Sequence, residues 1–252
     1  MMAKTGLMFL AERKHYLAVL VALALSALTG CCGHRVVGFE KYGERISSVN
    51  YLCVRELGST GLTAALGVPP ERGEDLERDK VALAEAQAAA PLGSTAREQA
   101  EAEEHLTPLA FDGVIGPRFR LEVLPGTSNL LQRAFDDTWV AAHQAKKLHF
   151  RQRPDPALKN SSFPSVHAAE GEVLGEILAD LLPDHTKEVV QKGRAIGDHR
   201  LILNKHYPSD VEAGRRVGVW VLQEMRRSGD FKRDFAAAAK ELHNTVGTYR
   251  GR

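Results

Sequence analysis

The side chains best suited to chemistry lie in three short motifs between positions 146 and 210. The motifs read Lys146-x6-Arg153-Pro154, Pro164-Ser165-Val166-His167 and Arg200-x5-His206-x3-Asp210. They supply three cations, two imidazoles and one carboxylate. This set suits phosphate chemistry without a metal: the cations neutralise a phosphoryl dianion, one imidazole attacks, the other handles the proton, and the carboxylate orients the attacker.

The spacing of His206 and Asp210 favours a nucleophilic histidine. His206 precedes Asp210 by four residues, and Pro208 between them predicts a helix start. The Asp210 carboxylate then reaches back to one imidazole nitrogen, which sets the tautomer and leaves the other nitrogen free to attack. A surface histidine beside a helix-capping aspartate has the same local pattern. Arg200, six residues upstream, shifts the balance towards a catalytic pair.

A second helix start is predicted at Pro164-Ser165, and it places His167 in the first turn. Backbone N–H groups in a first turn point away from the helix and bind anions. The N–H of Val166 and the hydroxyl of Ser165 are therefore candidate phosphate donors, and His167 is the candidate acid–base residue.

Lys146, Arg153 and Arg200 form the candidate phosphate clamp. An arginine fork contacts two phosphate oxygens at once, whereas lysine acts as a point charge. The sequence contains no carboxylate cluster typical of a metal site, so we expect no metal and no cofactor. Other basic residues nearby are assigned to ordinary solvent exposure: Arg151, Lys147, Lys187 and Arg215.

In order and spacing, these motifs resemble the signature of the type 2 phosphatidic acid phosphatase superfamily. Within it the chain is most similar to the bacterial class A non-specific acid phosphatases, a likeness that includes Pro69-Pro70 and residues 206–214 and covers residues 62–225. The resemblance implies a single-domain all-α bundle, a small phosphate-ester substrate and a phosphohistidine on His206. It also implies that His167 protonates the leaving alcohol and then activates the attacking water.

Two positions depart from the pattern of the family. Val166 stands where the family usually has glycine, and its branched side chain restricts the backbone and crowds the phosphate. His199 stands where serine is usual, and it either contacts the site or points outward. Both changes leave the clamp, the imidazoles and the carboxylate intact, so they bear on rate and specificity more than on reaction type.

Three alternatives share these residues. Vanadium haloperoxidases hold vanadate with the same Lys-Arg-His-Arg-His set, and lipid-phosphate phosphatases use the same chemistry but usually carry several membrane spans. A structural lipoprotein with a decayed site is the non-enzyme alternative. The match to acid phosphatase segments favours a phosphomonoesterase with an acid optimum, because His206 must be neutral and His167 protonated.

Composition and periodicity predict the all-α fold. The 252 residues carry a net charge of +1, which argues against a nucleic-acid binder held by bulk charge, and aromatic residues make up 6%. Apolar spacing predicts helices over 75–90, 95–106 and 130–147, and then from Pro164, Asp184 and Pro208 onwards. Ser94, Asn129 and Asp184 are the predicted N-caps. Residues 101–104 are expected to be a solvated surface, and Gly214 and Gly218 to permit close helix packing.

The N-terminus has the features of an export signal. Basic residues precede a short apolar run, and Leu28-Thr29-Gly30-Cys31 resembles a lipobox, in which Cys31 is lipidated. We expect a signal peptide at 1–30, an anchor and tether at 31–61 and a helical phosphatase domain at 62–252. This implies a lipid-anchored protein on the periplasmic side of a bacterial membrane, with the outer membrane favoured. Homo-oligomerisation and pairing of Cys32 with Cys53 stay open.

Overall fold

A computed structural model describes residues 39–41, 44–46, 50–52, 57, 60–117 and 119–245. All of them belong to one compact unit of the chain, His34–Arg252. The expected signal peptide, the lipidation site Cys31 and the pair Cys32 and Cys53 lie outside the described residues, so these expectations stay predictions.

Within the described residues the fold consists of α-helices and one short hairpin, which confirms the all-α prediction. The helices are α1 Thr60–Leu66, α2 Glu74–Ala89, α3 Thr95–Ala102, α4 Pro125–Ala145, α5 Val166–Leu181, α6 Thr186–Ile202, α7 Pro208–Met225 and α8 Gly229–Thr245. Short 3-10 turns lie at Pro108–Phe111, Leu121–Val123 and Pro183–His185. The antiparallel hairpin pairs β1 Phe39–Lys41 with β2 Glu44–Ile46.

Helix α5 forms the centre of the bundle, where it contacts α4, α6, α7 and α8. Its apolar residues Val173, Leu174 and Ile177 are fully buried. A helix that is apolar on most of its faces must be surrounded by other elements, because one exposed face would leave apolar surface in water. The first turn of α5, which carries His167, is thereby fixed against its neighbours.

Glycines allow α7 to approach α5 very closely. A Cβ atom built on Gly214 would lie 2.3 Å from the carbonyl oxygen of Ser165, and one on Gly218 would lie 2.8 Å from that of Ala169. Both distances are too short for real side-chain atoms, so the prediction of close packing at these two glycines is confirmed. The contact holds the start of α5 against the start of α7, where the candidate site residues lie.

The predicted helix starts are partly confirmed. Ser94 caps α3 by accepting the N–H of Arg97, and α7 begins at Pro208 as expected. The Asn129 cap is wrong, because α4 begins at Pro125, whose fixed φ suits the first helical position. The Asp184 cap is also wrong, because a 3-10 turn at Pro183–His185 precedes α6.

A buried carboxylate on α4 binds the chain segment just upstream of the helices. Asp137 is fully buried and accepts the backbone N–H of Asn50 and of Tyr51 at 2.6 Å, and of Leu52 at 2.9 Å. Residues 50–52 are thereby attached to the helical body. In the part of the chain described, no helix combines the length and apolar character needed to cross a membrane.

Candidate active site

His206 lies in the loop between α6 and α7, and it is 4% exposed. Its Nε2 lies 3.1 Å from a guanidinium nitrogen of Arg153, and its Nδ1 lies 3.6 Å from Oδ2 of Asp210. Arginine always donates, so Nε2 must accept, and this assigns the ring proton to Nδ1 on the Asp210 side. The nitrogen that faces the cations therefore carries the free electron pair.

Burial controls the charge of this pair. Burial, with the charges of Lys146 and Arg153, lowers the pKa of His206 to about 3, although Asp210 opposes the shift. Burial alone would raise the pKa of Asp210, but His206, the charge of Arg151 and the N–H of Tyr207 outweigh it and leave that pKa below its usual value. Above about pH 3 the imidazole is therefore neutral, and the lowered pKa of Asp210 favours its ionised form.

Lys146 and Arg153 lie beside His206. Lys146 caps the C-terminus of α4 and donates from Nζ to the carbonyl oxygen of Ser161 at 2.8 Å. Burial, with the nearby charge of Arg153, lowers the pKa of Lys146 to about 7. Arg153 also donates to the carbonyl oxygen of Lys205 at 2.8 Å, which fixes the direction of its fork.

His167 and Arg200 complete the set. His167 lies in the first turn of α5 as predicted, and its Nε2 lies 3.3 Å from the carbonyl oxygen of Glu104. Arg200 is 5% exposed in the last turn of α6. Burial first, then the charges of Arg200 and His206, lower the pKa of His167 well below its usual value. The charges of Arg200 and His206 both act on His167, so the three side chains lie near one another.

The helix start at Ser165 has the expected form. The Ser165 hydroxyl oxygen accepts the N–H of Ala168 at 3.3 Å, so this side chain is the N-cap of α5. Val166 is the first helical residue, and its N–H has no earlier turn to bond to. The Ser165 N–H donates to the carbonyl oxygen of Asp210 at 2.9 Å, which joins the two helix starts directly.

The prediction that Arg151 is solvent-exposed is wrong. Arg151 is 6% exposed and donates to Oδ1 of Asp210 at 2.7 Å and to Oδ2 of Asp79 at 2.8 Å. Its position two residues before Arg153 is visible in the sequence, but its partners come from α2 and α7. From the sequence alone, a charged residue in a loop is predicted to be exposed, because partners on distant helices cannot be identified.

The acidic stretch at residues 101–104 is also not uniformly solvated. Glu103 is buried, and its carboxylate accepts from Lys192 and lies 2.7 Å from Nδ1 of His199. His199 is itself 9% exposed. The His199 ring therefore does not point outward; it binds the residue at the C-terminal end of α3. This contact holds the segment whose Glu104 carbonyl oxygen lies next to His167.

Among the residues that the structure describes, no three His, Cys, Asp or Glu side chains converge in a way that would hold a metal ion. The site residues that do converge are cations and imidazoles, which bind oxyanions.

The described helices thus gather cations around two imidazoles, a set of groups that binds oxyanions. The chain is 30% identical to the acid phosphatase of Zymomonas mobilis over 158 residues, which cover 56% of this chain and 60% of that protein. It is 28% identical to the non-specific acid phosphatase of Salmonella typhimurium over 197 residues, 70% of this chain and 79% of that protein.

A third relative shows the same kind of similarity. The chain is 26% identical to the non-specific acid phosphatase of Providencia stuartii over 148 residues, 53% of this chain and 60% of that protein. The matched part spans less than two thirds of the Zymomonas and Providencia proteins. No family model matches the chain. The chain is thus similar to bacterial acid phosphatases over part of its length.

Proposed function

We propose that the protein is a metal-independent acid phosphatase that hydrolyses small phosphate monoesters through a phosphohistidine on His206. The observation that carries the proposal is the setting of His206 Nε2, which accepts from Arg153 at 3.1 Å while Nδ1 faces Asp210. The names of the relatives, acid phosphatases, support the same activity.

In the first step the Nε2 electron pair of His206 forms a bond to phosphorus, and the bond from phosphorus to the ester oxygen breaks. The departing oxygen takes a proton from His167 and leaves as an alcohol. Asp210 stabilises the imidazolium that forms, as a carboxylate does beside a charged ring. The low pKa of His206 favours this step, because the ring stays neutral down to about pH 3.

In the second step His167, now neutral, takes a proton from a water molecule, and the water oxygen forms a bond to phosphorus. The phosphorus–nitrogen bond breaks, which releases phosphate and restores neutral His206. Arg200 lowers the pKa of His167 beyond the effect of burial. The negative charge of the bound phosphoryl group offsets the charge of Arg200 and raises the pKa of His167, so that His167 can carry its proton.

Lys146, Arg153 and Arg200 neutralise the phosphoryl oxygens in both steps. Charge spreads over three equatorial oxygens in the transition state, and fixed cations stabilise it there without reorganisation. The proposal requires no metal ion for this function. Activity that survives dialysis against a chelator supports this part, and activity restored only by an added metal would contradict it.

The test of the proposed function is His206→Ala assayed with a chromogenic aryl phosphate. Turnover should fall to background, because the phosphoryl group then has no acceptor. His243→Ala, an exposed histidine on α8, is the matched control and should retain wild-type turnover. Retained hydrolysis in folded His206→Ala would sink the assignment.

The same assay separates the two enzyme alternatives. A panel of aryl phosphate, nucleotides, pyrophosphate and phosphatidate, each with and without vanadate, compares them directly. Preference for phosphatidate would indicate a lipid-phosphate phosphatase. Halide oxidation that needs vanadate and peroxide, with no phosphate release, would indicate a haloperoxidase.

Export and lipid attachment at Cys31 form part of the proposal, with the enzyme held on the periplasmic side of a bacterial membrane. The support is the order of basic flank, apolar run and lipobox-like tetrapeptide. Labelled fatty acid should enter the wild-type protein and not Cys31→Ser. Equal labelling of both proteins would contradict attachment at this residue.

A further inference from the structure

A buried network of three charges lies behind His206, and the reaction steps above do not use all of it. Asp79 comes from α2, Arg151 from the loop that follows α4, and Asp210 from the first turn of α7. Their exposed fractions are 7%, 6% and 0%. Charges are rarely buried unless each is paired, so the three side chains constrain one another.

Arg151 joins the two carboxylates with different nitrogens of one rigid fork. One terminal nitrogen donates to Oδ1 of Asp210 at 2.7 Å, and the other donates to Oδ2 of Asp79 at 2.8 Å. The guanidinium also lies 4.2 Å from the centre of the Tyr207 ring. A planar group held at both ends and on one face has little freedom to move.

Asp79 fixes the same region through the backbone. Its Oδ1 accepts the N–H of Ser209 at 3.0 Å, and its Oδ2 accepts the hydroxyl of Ser209. The first nitrogen of the Arg151 fork also donates to the Ser209 hydroxyl oxygen at 2.7 Å. The start of α7, directly after the His206 loop, is thus held to α2, a helix that does not itself carry any of the predicted site residues.

The Asp210 carboxylate has an assigned donor on each oxygen. Oδ1 accepts from Arg151, and Oδ2 accepts the N–H of Tyr207 at 2.8 Å. His206 Nδ1 lies 3.6 Å from Oδ2, and within the described part of the chain it has no hydrogen-bond partner. The orientation of the carboxylate towards the ring is therefore set by Arg151 and Tyr207 rather than by the imidazole.

We propose that Arg151, held in place by Asp79, is a positioning residue that aims the Asp210 carboxylate at His206 and so aligns Nε2 for in-line attack. The kinetic part of this inference rests on the proposed phosphatase function. Arg151 contacts neither the phosphate clamp nor the substrate in this account. Its contribution appears in the transition state, where the ring becomes charged and the carboxylate must lie opposite Nδ1.

The principal variant is Arg151→Gln, compared with wild type in steady-state kinetics on an aryl phosphate. We expect kcat to fall about 100-fold, the size of effect that a 1 Å misplacement produces. KM should change less than about threefold, because the clamp that binds the ground state is intact. Arg151→Lys should recover part of the loss, since one ammonium supplies charge to one carboxylate but cannot join both.

A binding measurement gives the same comparison without turnover. Vanadate accepts a bond from the attacking nitrogen and takes up five-coordinate geometry, whereas inorganic phosphate binds through the clamp alone. By calorimetry, Arg151→Gln should weaken vanadate binding at least tenfold and leave phosphate binding within about twofold, as expected of a transition-state analogue and a ground-state ligand. Arg226→Gln, in an exposed ion pair with Asp180, is the control and should change neither affinity.

Folding is checked by thermal unfolding, because loss of Arg151 leaves two buried carboxylates without their cation. If Arg151→Gln does not fold, Asp79→Asn carries the test: it keeps the arginine but removes one of its two anchors. Selective loss of vanadate affinity in Asp79→Asn supports the proposal, and an unchanged ratio of vanadate to phosphate affinity overturns it.

Two results with folded Arg151→Gln contradict the inference. One is kcat and vanadate affinity both within twofold of wild type; the other is an equal loss of vanadate and phosphate affinity, which would make Arg151 part of the phosphate cradle. A wild-type protein without phosphatase turnover would refute the proposed function instead. The difference between vanadate and phosphate binding would still decide the role of Arg151.

Discussion

At the scale of single residues, burial determines which groups carry charge when the substrate arrives. Burial lowers the pKa of His206 to about 3 and that of Lys146 to about 7, in each case against the stabilising charge of Asp210. The proposed nucleophile is therefore neutral above about pH 3, while the lysine of the clamp is charged below about pH 7. An acid optimum follows from Lys146 as well as from the two histidines.

This gives a prediction for the pH profile. As pH rises through about 7, Lys146 loses its proton in the free enzyme, and phosphate binding weakens. The value of kcat/KM, which reports the free enzyme, should fall above that pH. Lys146→Arg keeps its charge, so its fall should move to higher pH. An alkaline limb that is the same in both proteins would contradict this origin for the acid optimum.

The residues of the three motifs were predictable from the sequence because their types and spacing are unusual together. Arg151 was not, because its partner Asp79 lies 72 residues away on another helix. The same holds for His199, whose partner Glu103 is 96 residues distant. Sequence spacing shows pairs within one helix or loop, whereas these pairs exist only once α2 and α3 pack against the later helices.

At the scale of elements, the N-terminal ends of α5 and α7 pack against each other at the candidate site. The Ser165 N–H donates to the Asp210 carbonyl oxygen at 2.9 Å, and Gly214 leaves room for the carbonyl of Ser165 itself. His167 and Asp210 are thus held in register by backbone contacts. A small change in the distance between α5 and α7 should therefore move His167 relative to Asp210 and lower kcat.

Gly214→Ala tests this coupling. The added methyl would lie 2.3 Å from the Ser165 carbonyl oxygen, so the helices must separate. We expect a loss of about 1–3 kcal/mol in unfolding free energy, as for overpacked sites, together with reduced kcat. Gly229→Ala is the matched control, since no atom lies within 4 Å of its added Cβ. Denaturant unfolding and turnover of both variants make the comparison, and equal behaviour would refute the coupling.

Helix boundaries show where sequence reasoning succeeds and fails. Pro208 and Ser94 were found because a proline or a cap residue directly precedes an apolar run. The start of α4 was placed too late, because Pro125-Gly126 reads as a break rather than as a first turn. Helix α8 was missed, although Phe231, Ala238 and Leu242 recur on one buried face. The spacing of these three apolar residues is visible in the sequence, but the predicted helices end before α8.

At the scale of the whole molecule, charge is almost balanced, with 33 basic and 32 acidic residues. The cations of the site act locally, because exposed charges are screened over about 8 Å at physiological ionic strength. Under the proposed function, a small anionic ester is therefore recognised at the site rather than by the overall field. Asp137 attaches residues 50–52 to the helical body through their backbone N–H groups.

The proposed mechanism places a phosphoryl group on His206 during each turnover. Its direct test is to mix the enzyme with a labelled phosphate ester, quench within a turnover at alkaline pH, where phosphohistidine persists, and locate the label by peptide mass spectrometry. We expect one labelled peptide, modified at Nε2 of His206 and absent from His206→Ala. Full turnover with no phosphorylated residue, or with the label on another side chain, would contradict it.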